Sequence, residues 1–237
     1  MPDKPLYPGE ASDPYCLRDG EAESLLRGHP WKRFAVVGDS IAEGLGEPLA
    51  GYPDEPWADR IAAELRRHQP DLAYLNLGKS MTRTTVVRAT QLPEALAFQP
   101  DLVLAACASA DMLLPGYDPG RVDRELRAMI AAFQEQGADV ITVGIFDGSY
   151  ARNLPKLFMN SRRMRIHEIA ARTQQIATDL GTLHVALTEH PVSKDADIYS
   201  SDPRHGTMRG HAIAAAETVR VLGAHLRAQG APAGGPA

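Results

Sequence analysis

Short apolar runs recur along this chain with helix-period segments between them, and that alternation restricts the fold more than any other feature. Arg33 to Gly38 (RFAVVG), Leu72 to Leu77 (LAYLNL), Asp101 to Cys107 (DLVLAAC), Ala138 to Gly144 (ADVITVG) and Thr182 to Leu187 read as strands. They are apolar throughout rather than at alternate positions, as strands covered on both faces are. Between them, Asp54 to His68 sets Trp57, Ile61, Ala62 and Leu65 at helical spacing, and a second helix covers Thr84 to Ala97. Asp118 and Pro119 open a third, closed at Gly137; Asn160 to Leu180 is a long helix ended by Gly181; Thr207 to Leu226 is the last. The alternation calls for a parallel sheet covered by helices on both faces. In such sheets the chemistry collects in loops at the carboxyl ends of the strands.

A chain of 237 residues, 44% hydrophobic, buries enough surface for one compact domain. We place it at 31–228, after a polar, Pro-interrupted extension without regular structure (1–30) and before a small-residue flexible tail (229–237). Lys and Arg total 25 against 30 Asp and Glu, a formal charge of -5. No basic excess points to nucleic acid. No apolar run approaches the roughly 20 residues of a membrane helix, and the first residues lack the pattern of a secretory signal. The expectation is a cytoplasmic protein with no membrane partner, with Cys16 and Cys107 as free thiols; oligomeric state is left open.

After the first strand comes Gly38-Asp39-Ser40-Ile41-Ala42-Glu43-Gly44, which matches neither a phosphate-cradling glycine loop nor the G-x-S-x-G elbow. It leaves a serine at a strand end where a helix begins. Read alone, Ser40 is an ordinary helix cap. After the fifth strand, however, Ser201-Asp202-Pro203-Arg204-His205-Gly206 carries an aspartate three residues before a histidine. That pair supplies the base and the orienting carboxylate that a serine nucleophile requires.

Together these blocks resemble the SGNH (GDSL) hydrolase superfamily, particularly its small single-domain actinobacterial-type members, over about Arg33 to Leu226. The resemblance implies a flavodoxin-like three-layer α/β/α sandwich with a five-stranded parallel sheet. It further implies hydrolysis of an ester, thioester or acetyl group on a small metabolite through an acyl-serine, with no metal and no cofactor. Ser40 falls at the nucleophile position, Asp202 at the acid and His205 at the base.

Two blocks of the family pattern are altered. Asn76 is present, but the Gly expected five residues later, whose amide enters the oxyanion hole, is Met81. The block that usually ends Gly-x-Asn-Asp reads Ala108-Ser109-Ala110-Asp111, so Ala110 lacks the side-chain donor. Such a donor is worth about 10²- to 10³-fold in rate. The amides of Ser40 and Met81 remain as donors, and if the loop needs positive φ, Met81 costs roughly 1–2 kcal/mol. Gly78, Ser80 and Ser109 are nearby candidates to reshape the hole and contact substrate. Two other outcomes stay open: acyl transfer or another specialised biosynthetic reaction, and a noncatalytic ligand-binding protein.

The remaining features read as structural. His184, His190, His205 and His211 lack metal-ligand spacing. Arg162, Arg163 and Arg165 read as a solvated face, or as an anion-binding edge beside an apolar lid of Tyr150, Leu154, Leu157 and Phe158. Trp31 and Trp57 are packing anchors, and Asp39 and Asp111 are hydrogen-bond acceptors that organise loops.

Overall fold

The computed structural model describes residues 6–230. The strands are β1 (Arg33–Gly38), β2 (Gly46–Glu47), β3 (Ala73–Asn76), β4 (Leu102–Ala106), β5 (Asp139–Gly144), β6 (Leu183–Ala186) and β7 (Gly206–Thr207). Five of them form one parallel sheet in the order β3-β1-β4-β5-β6, and β2 pairs with β7 in a separate parallel ladder. The chain starts in the sheet at β1 and leaves it in both directions, so the switch point lies at the carboxyl end of β1.

The helices are α1 (Glu21–Leu26), α2 (Ser40–Glu43), α3 (Trp57–Arg66), α4 (Thr84–Val86), α5 (Leu92–Ala97), α6 (Ser109–Leu113), α7 (Pro119–Glu135), α8 (Lys156–Leu180) and α9 (Met208–Ala228). Alternate strand residues feed two cores. Phe34, Val36, Leu104, Ile141 and Val143 pack with Trp57, Ile61 and Leu65 of α3 and Val219, Leu222 and Leu226 of α9. Ala35, Val37, Val103 and Val140 pack on the other face with Leu126, Met129, Ile130 and Phe133 of α7 and Ile176 of α8. Burial on both faces is why the central strands β1, β4 and β5 are apolar at nearly every position.

The expected elements are present with trimmed ends. Asp118 caps α7, accepting from the Arg121 amide at 3.1 Å, and Gly181 ends α8 in the left-handed region at φ 65°. The Thr84–Ala97 helix is interrupted by a π turn at Val87–Gln91, and α8 starts at Lys156, a turn before Asn160. The extension is not devoid of regular structure, since residues 21–26 form α1. That helix is held from outside itself: Arg220 of α9 donates to both Glu21 carboxylate oxygens and to the carbonyls of Tyr15 and Cys16. Further back, the wholly buried Arg209 pairs with Asp13 at 2.7 Å. Of the expected tail, 231–237 lies outside the described residues.

Candidate active site

The register of the sheet sets the levels from which the site loops depart. Gly38 of β1 lies opposite Ala106 of β4, and the Asp39 amide donates to the Ala106 carbonyl at 3.2 Å. Ser40 and Ala108 therefore leave neighbouring strands from the same level. Gly38 has φ 146°, and a Cβ there would meet the Ala106 oxygen at 2.0 Å, so only glycine fits. Gln91, in the π turn, clasps this residue by accepting from its amide at 2.8 Å and donating to its carbonyl at 2.9 Å.

Asp39 is fully buried and caps α2, accepting from the Ile41 amide at 3.0 Å. Its other oxygen accepts from the Ala110 amide at 2.9 Å. Burial raises its pKa above the ordinary carboxylate value, against the pull of these amides. Asp111 accepts from the amide and hydroxyl of Thr84 at 2.8 and 2.7 Å. Both aspartates organise loops, as the sequence suggested. Ser40 opens α2, and Trp57 supports that turn by donating from Nε1 to the Ile41 carbonyl at 2.7 Å.

The histidine loop is brought to the serine loop by the small ladder. Gly46 pairs with Gly206 and Glu47 with Thr207, so His205 enters β7 beside the segment that leaves α2. The Glu47 carboxylate also accepts from the Ser201 amide, and His211 takes the Trp57 amide on Nδ1 at 3.1 Å while its Nε2 donates to the Leu45 carbonyl at 3.3 Å. Within the loop the His205 amide donates to the Asp202 carbonyl at 3.2 Å. The side chains meet as well, His205 Nδ1 lying 3.2 Å from Asp202 Oδ2. Asp202 is shared: Arg204 donates to it from its amide, Nε and Nη2 at 2.8–3.2 Å. Those bonds, with the nearby His205, hold its pKa down to about 2. Ser40 Oγ and His205 Nε2 are without hydrogen-bond partners among the described residues, and such bonds commonly tighten only when substrate binds.

On the other side of Ser40, the Asn76 amide group donates to the Ala42 carbonyl and its oxygen accepts from the Gly78 amide, both at 2.9 Å. Gly78 lies against α2 so closely that a Cβ would meet the Glu43 nitrogen at 2.2 Å. The Ser80 amide donates to Glu43 at 2.6 Å, and Ser109 is buried beside Asp39. The amides of Gly78, Ser80 and Ala110 are thus engaged. Those of Ser40 and Met81 donate to no protein acceptor among the described residues. Met81 has φ 60° and Ala108 φ 85°, so both altered glycine positions keep a left-handed backbone with L-residues in it.

A cleft with about 690 Å³ of empty space, its mouth included, opens beside this site. Ile41, Leu45 and His205 form one part of its wall, and Val143, Phe146, Leu187 and Arg162 belong to the rest. The three clustered arginines diverge, as successive helix positions do. Arg163 lies 3.6 Å from Asp147, Arg165 donates to the Met112 carbonyl at 2.8 Å, and Arg162 faces the cleft. For Arg162 the solvated-face reading is corrected. Leu157 and Phe158 are exposed on the first turn of α8 rather than in the cleft wall. Among the described residues no helix is long and apolar enough to cross a membrane, and no cluster of three or more His, Cys, Asp or Glu is placed to hold a metal ion.

The model of the GDSL-like lipase/acylhydrolase family matches residues 36–230. Solved structures share the fold at low identity. An acetylxylan esterase from Geobacillus stearothermophilus, solved as a catalytic mutant, is 17% identical with a TM-score of 0.65, over 83% of this chain and 94% of that one. A lipase/acylhydrolase from Enterococcus faecalis is 18% identical with a TM-score of 0.64, over 82% and 96%. TesA is 22% identical with a TM-score of 0.63, over 80% and 97%. No curated protein sequence matches the chain.

Proposed function

Since the chain belongs to the GDSL-like lipase/acylhydrolase family and is an esterase or acyl hydrolase by that membership, we propose that it cleaves an ester, thioester or acetyl group on a small metabolite through an acyl-Ser40 intermediate. The observation that carries this reading is the contact of His205 Nδ1 with Asp202 Oδ2 on a loop laced to the Ser40 loop by the β2–β7 ladder. Asp202, which stays ionised well below neutral pH, accepts a hydrogen bond from the Nδ1–H and so leaves Nε2 as the basic nitrogen. His205 takes the Ser40 proton as Oγ attacks the acyl carbon, then returns it to the leaving oxygen, sulfur or nitrogen. Water repeats the sequence on the acyl-serine and frees the acid. The developing oxyanion is met by the uncommitted amides of Ser40 and Met81, aided by the positive end of a helix start.

The site chemistry asks for no metal or cofactor, and the protein acts in the cytoplasm with a small-molecule acyl substrate and free thiols at Cys16 and Cys107. A serine-directed fluorophosphonate tests the reading: the wild type is labelled at Ser40, and S40A and H205A are not. Undiminished labelling of S40A, or ester hydrolysis that S40A retains in full, overturns it.

A further inference from the structure

Arg162 stands in the cleft wall with no acid paired to it among the described residues. Its Nε is buried and without a hydrogen-bond partner among the described residues, and no carboxylate there is within ion-pair distance of its guanidinium. The two acids whose charges act on it, Asp147 and Asp202, are already engaged. Asp147 accepts from His167 at 2.9 Å and from the Ser149 amide at 3.0 Å, with Arg163 at 3.6 Å. Asp202 is taken by Arg204 and His205. Burial also pulls the Arg162 pKa below its ordinary value. An unpaired cation held partly out of water destabilises the free protein, and such a cost is characteristic of a group reserved for a ligand. The wall between Arg162 and His205 is largely apolar, lined by Val143, Ile145, Phe146 and Leu187.

We propose that the cleft takes the aliphatic part of the acyl group and that Arg162 receives a carboxylate carried by it, so that the preferred substrates are hemiesters of aliphatic dicarboxylic acids. The chemistry rests on the serine mechanism above; the anion site rests on the cleft alone. A guanidinium clasps a carboxylate through two parallel N–H donors, and an apolar surround strengthens the pair. The anion also relieves the desolvated charge that the free protein carries.

The test compares 1-naphthyl hydrogen esters of glutaric, adipic and suberic acids with their neutral methyl diesters. In the wild type, kcat/KM favours the hemiester of at least one chain length by about tenfold or more. In R162M and R162Q that ratio falls to near one, chiefly through KM, whereas R121M, which removes an exposed charge elsewhere, keeps the wild-type ratio. R162M also has a higher Tm than the wild type without ligand, which a purely structural arginine would not give. In parallel, calorimetry measures the corresponding monomethyl esters binding to S40A and to S40A/R162M, with binding lost in the second. A wild type without preference at any chain length, or a ratio that both Arg162 variants leave unchanged, overturns the proposal. Arg162-dependent binding without Ser40-dependent hydrolysis overturns the serine reading and upholds the anion site; Ser40-dependent hydrolysis without discrimination does the reverse.

Discussion

Two sides of Ser40 are built to different standards. On the histidine side, the ladder, the Glu47–Ser201 bond and both ring nitrogens of His211 join the loops that carry Ser40 and His205, and the left-handed position between Ser40 and the ladder is a glycine, Gly44 at φ 83°. On the oxyanion side the loop shape is kept, but Met81 and Ala108 occupy left-handed conformations that glycine adopts without penalty. The side-chain donor expected at Ala110 is absent as well, and that alanine's amide is spent on Asp39. On the proposed mechanism, proton transfer keeps its residues, while anion stabilisation keeps only its backbone. The lesson is that neighbouring structure dictates a φ angle: Asp39, the Asn76–Gly78 turn and the Asp111–Thr84 bonds bracket both loops and impose a geometry that their own residues disfavour.

The sharpest break in this comparison is removal of the proton-transfer pair. S40A and H205A each lower kcat for an activated ester by about 10⁴-fold or more, and the double variant is no worse than either, because the residues act as a unit. Independent, additive losses measured in steady-state kinetics would mean the two side chains do not work together.

Acid attacks the same side through stability. Burial lowers the His211 pKa from 6.5 to about 4, so between those values the unfolded chain binds a proton that the folded one refuses. Stability is therefore full above pH 6.5 and is lost as pH falls toward 4, by about 3 kcal/mol at most. The expected cause is local: a protonated ring cannot accept the Trp57 amide. Denaturant titrations at several pH values should show this slope in the wild type and a flatter one in H211Q. An equal slope in both would assign the acid sensitivity elsewhere, His184 being the next candidate, since burial takes it to about 4 as well.

How far the sequence spoke differs between regions for the same physical reason. The sheet was legible because strands buried on both faces are apolar at nearly every position and the long helices carry their own caps, Asp118 and Gly181 among them. α1 was not, because it opens after a left-handed Gly20 with no side-chain cap and is held chiefly by Arg220 and packing against α9. The β2–β7 ladder is two residues long on each strand and has no periodicity to read. In the site, Ser40, Asp202 and His205 were legible as motif residues, and Asp39 and Asp111 as loop acceptors. Glu47, Trp57, His211 and Arg204 were missed, since their roles come from contacts far apart in the chain or, for Arg204, from competition for Asp202. Arg162 was hidden among its neighbours, and only the helix phase separates it from Arg163 and Arg165.

Restoring the side-chain donor sharpens the comparison from the opposite side. A110N is expected to raise kcat for a small activated ester by up to about 10²-fold, with less effect on KM, since the new amide favours the developing oxyanion over the ground state. Ala110 is buried and its amide is fixed by Asp39, so the position is rigid, and a donor misplaced by about 1 Å forfeits most of the gain. The measurement requires S40A/A110N as a background. If crystallography places the new amide beside Ser40 and the rate does not rise while the natural substrate turns over well, no oxyanion at this point limits the reaction.

The smallest effect isolates the backbone itself. An L-residue in the left-handed region costs roughly 1–2 kcal/mol, and glycine there gives back part of that through its more flexible unfolded state. M81G and A108G are thus each expected to stabilise the protein by about 1 kcal/mol or slightly less, a Tm rise of about 2–4 °C. The two should differ in side-chain loss. Met81 is 48% exposed, so trimming it forfeits little packing, whereas Ala108 is 1% exposed, and its methyl packs in a cluster with Met112, Val122 and Ile166. The larger gain is therefore predicted for M81G. Activity separates shape from strain: if the loops are held by their brackets, both variants keep the wild-type kcat, because the Met81 amide stays where Asp39, Asn76 and Thr84 put it. A stabilised M81G with a fallen kcat would show that the methionine side chain, rather than the bracket, holds that amide toward the acyl oxygen.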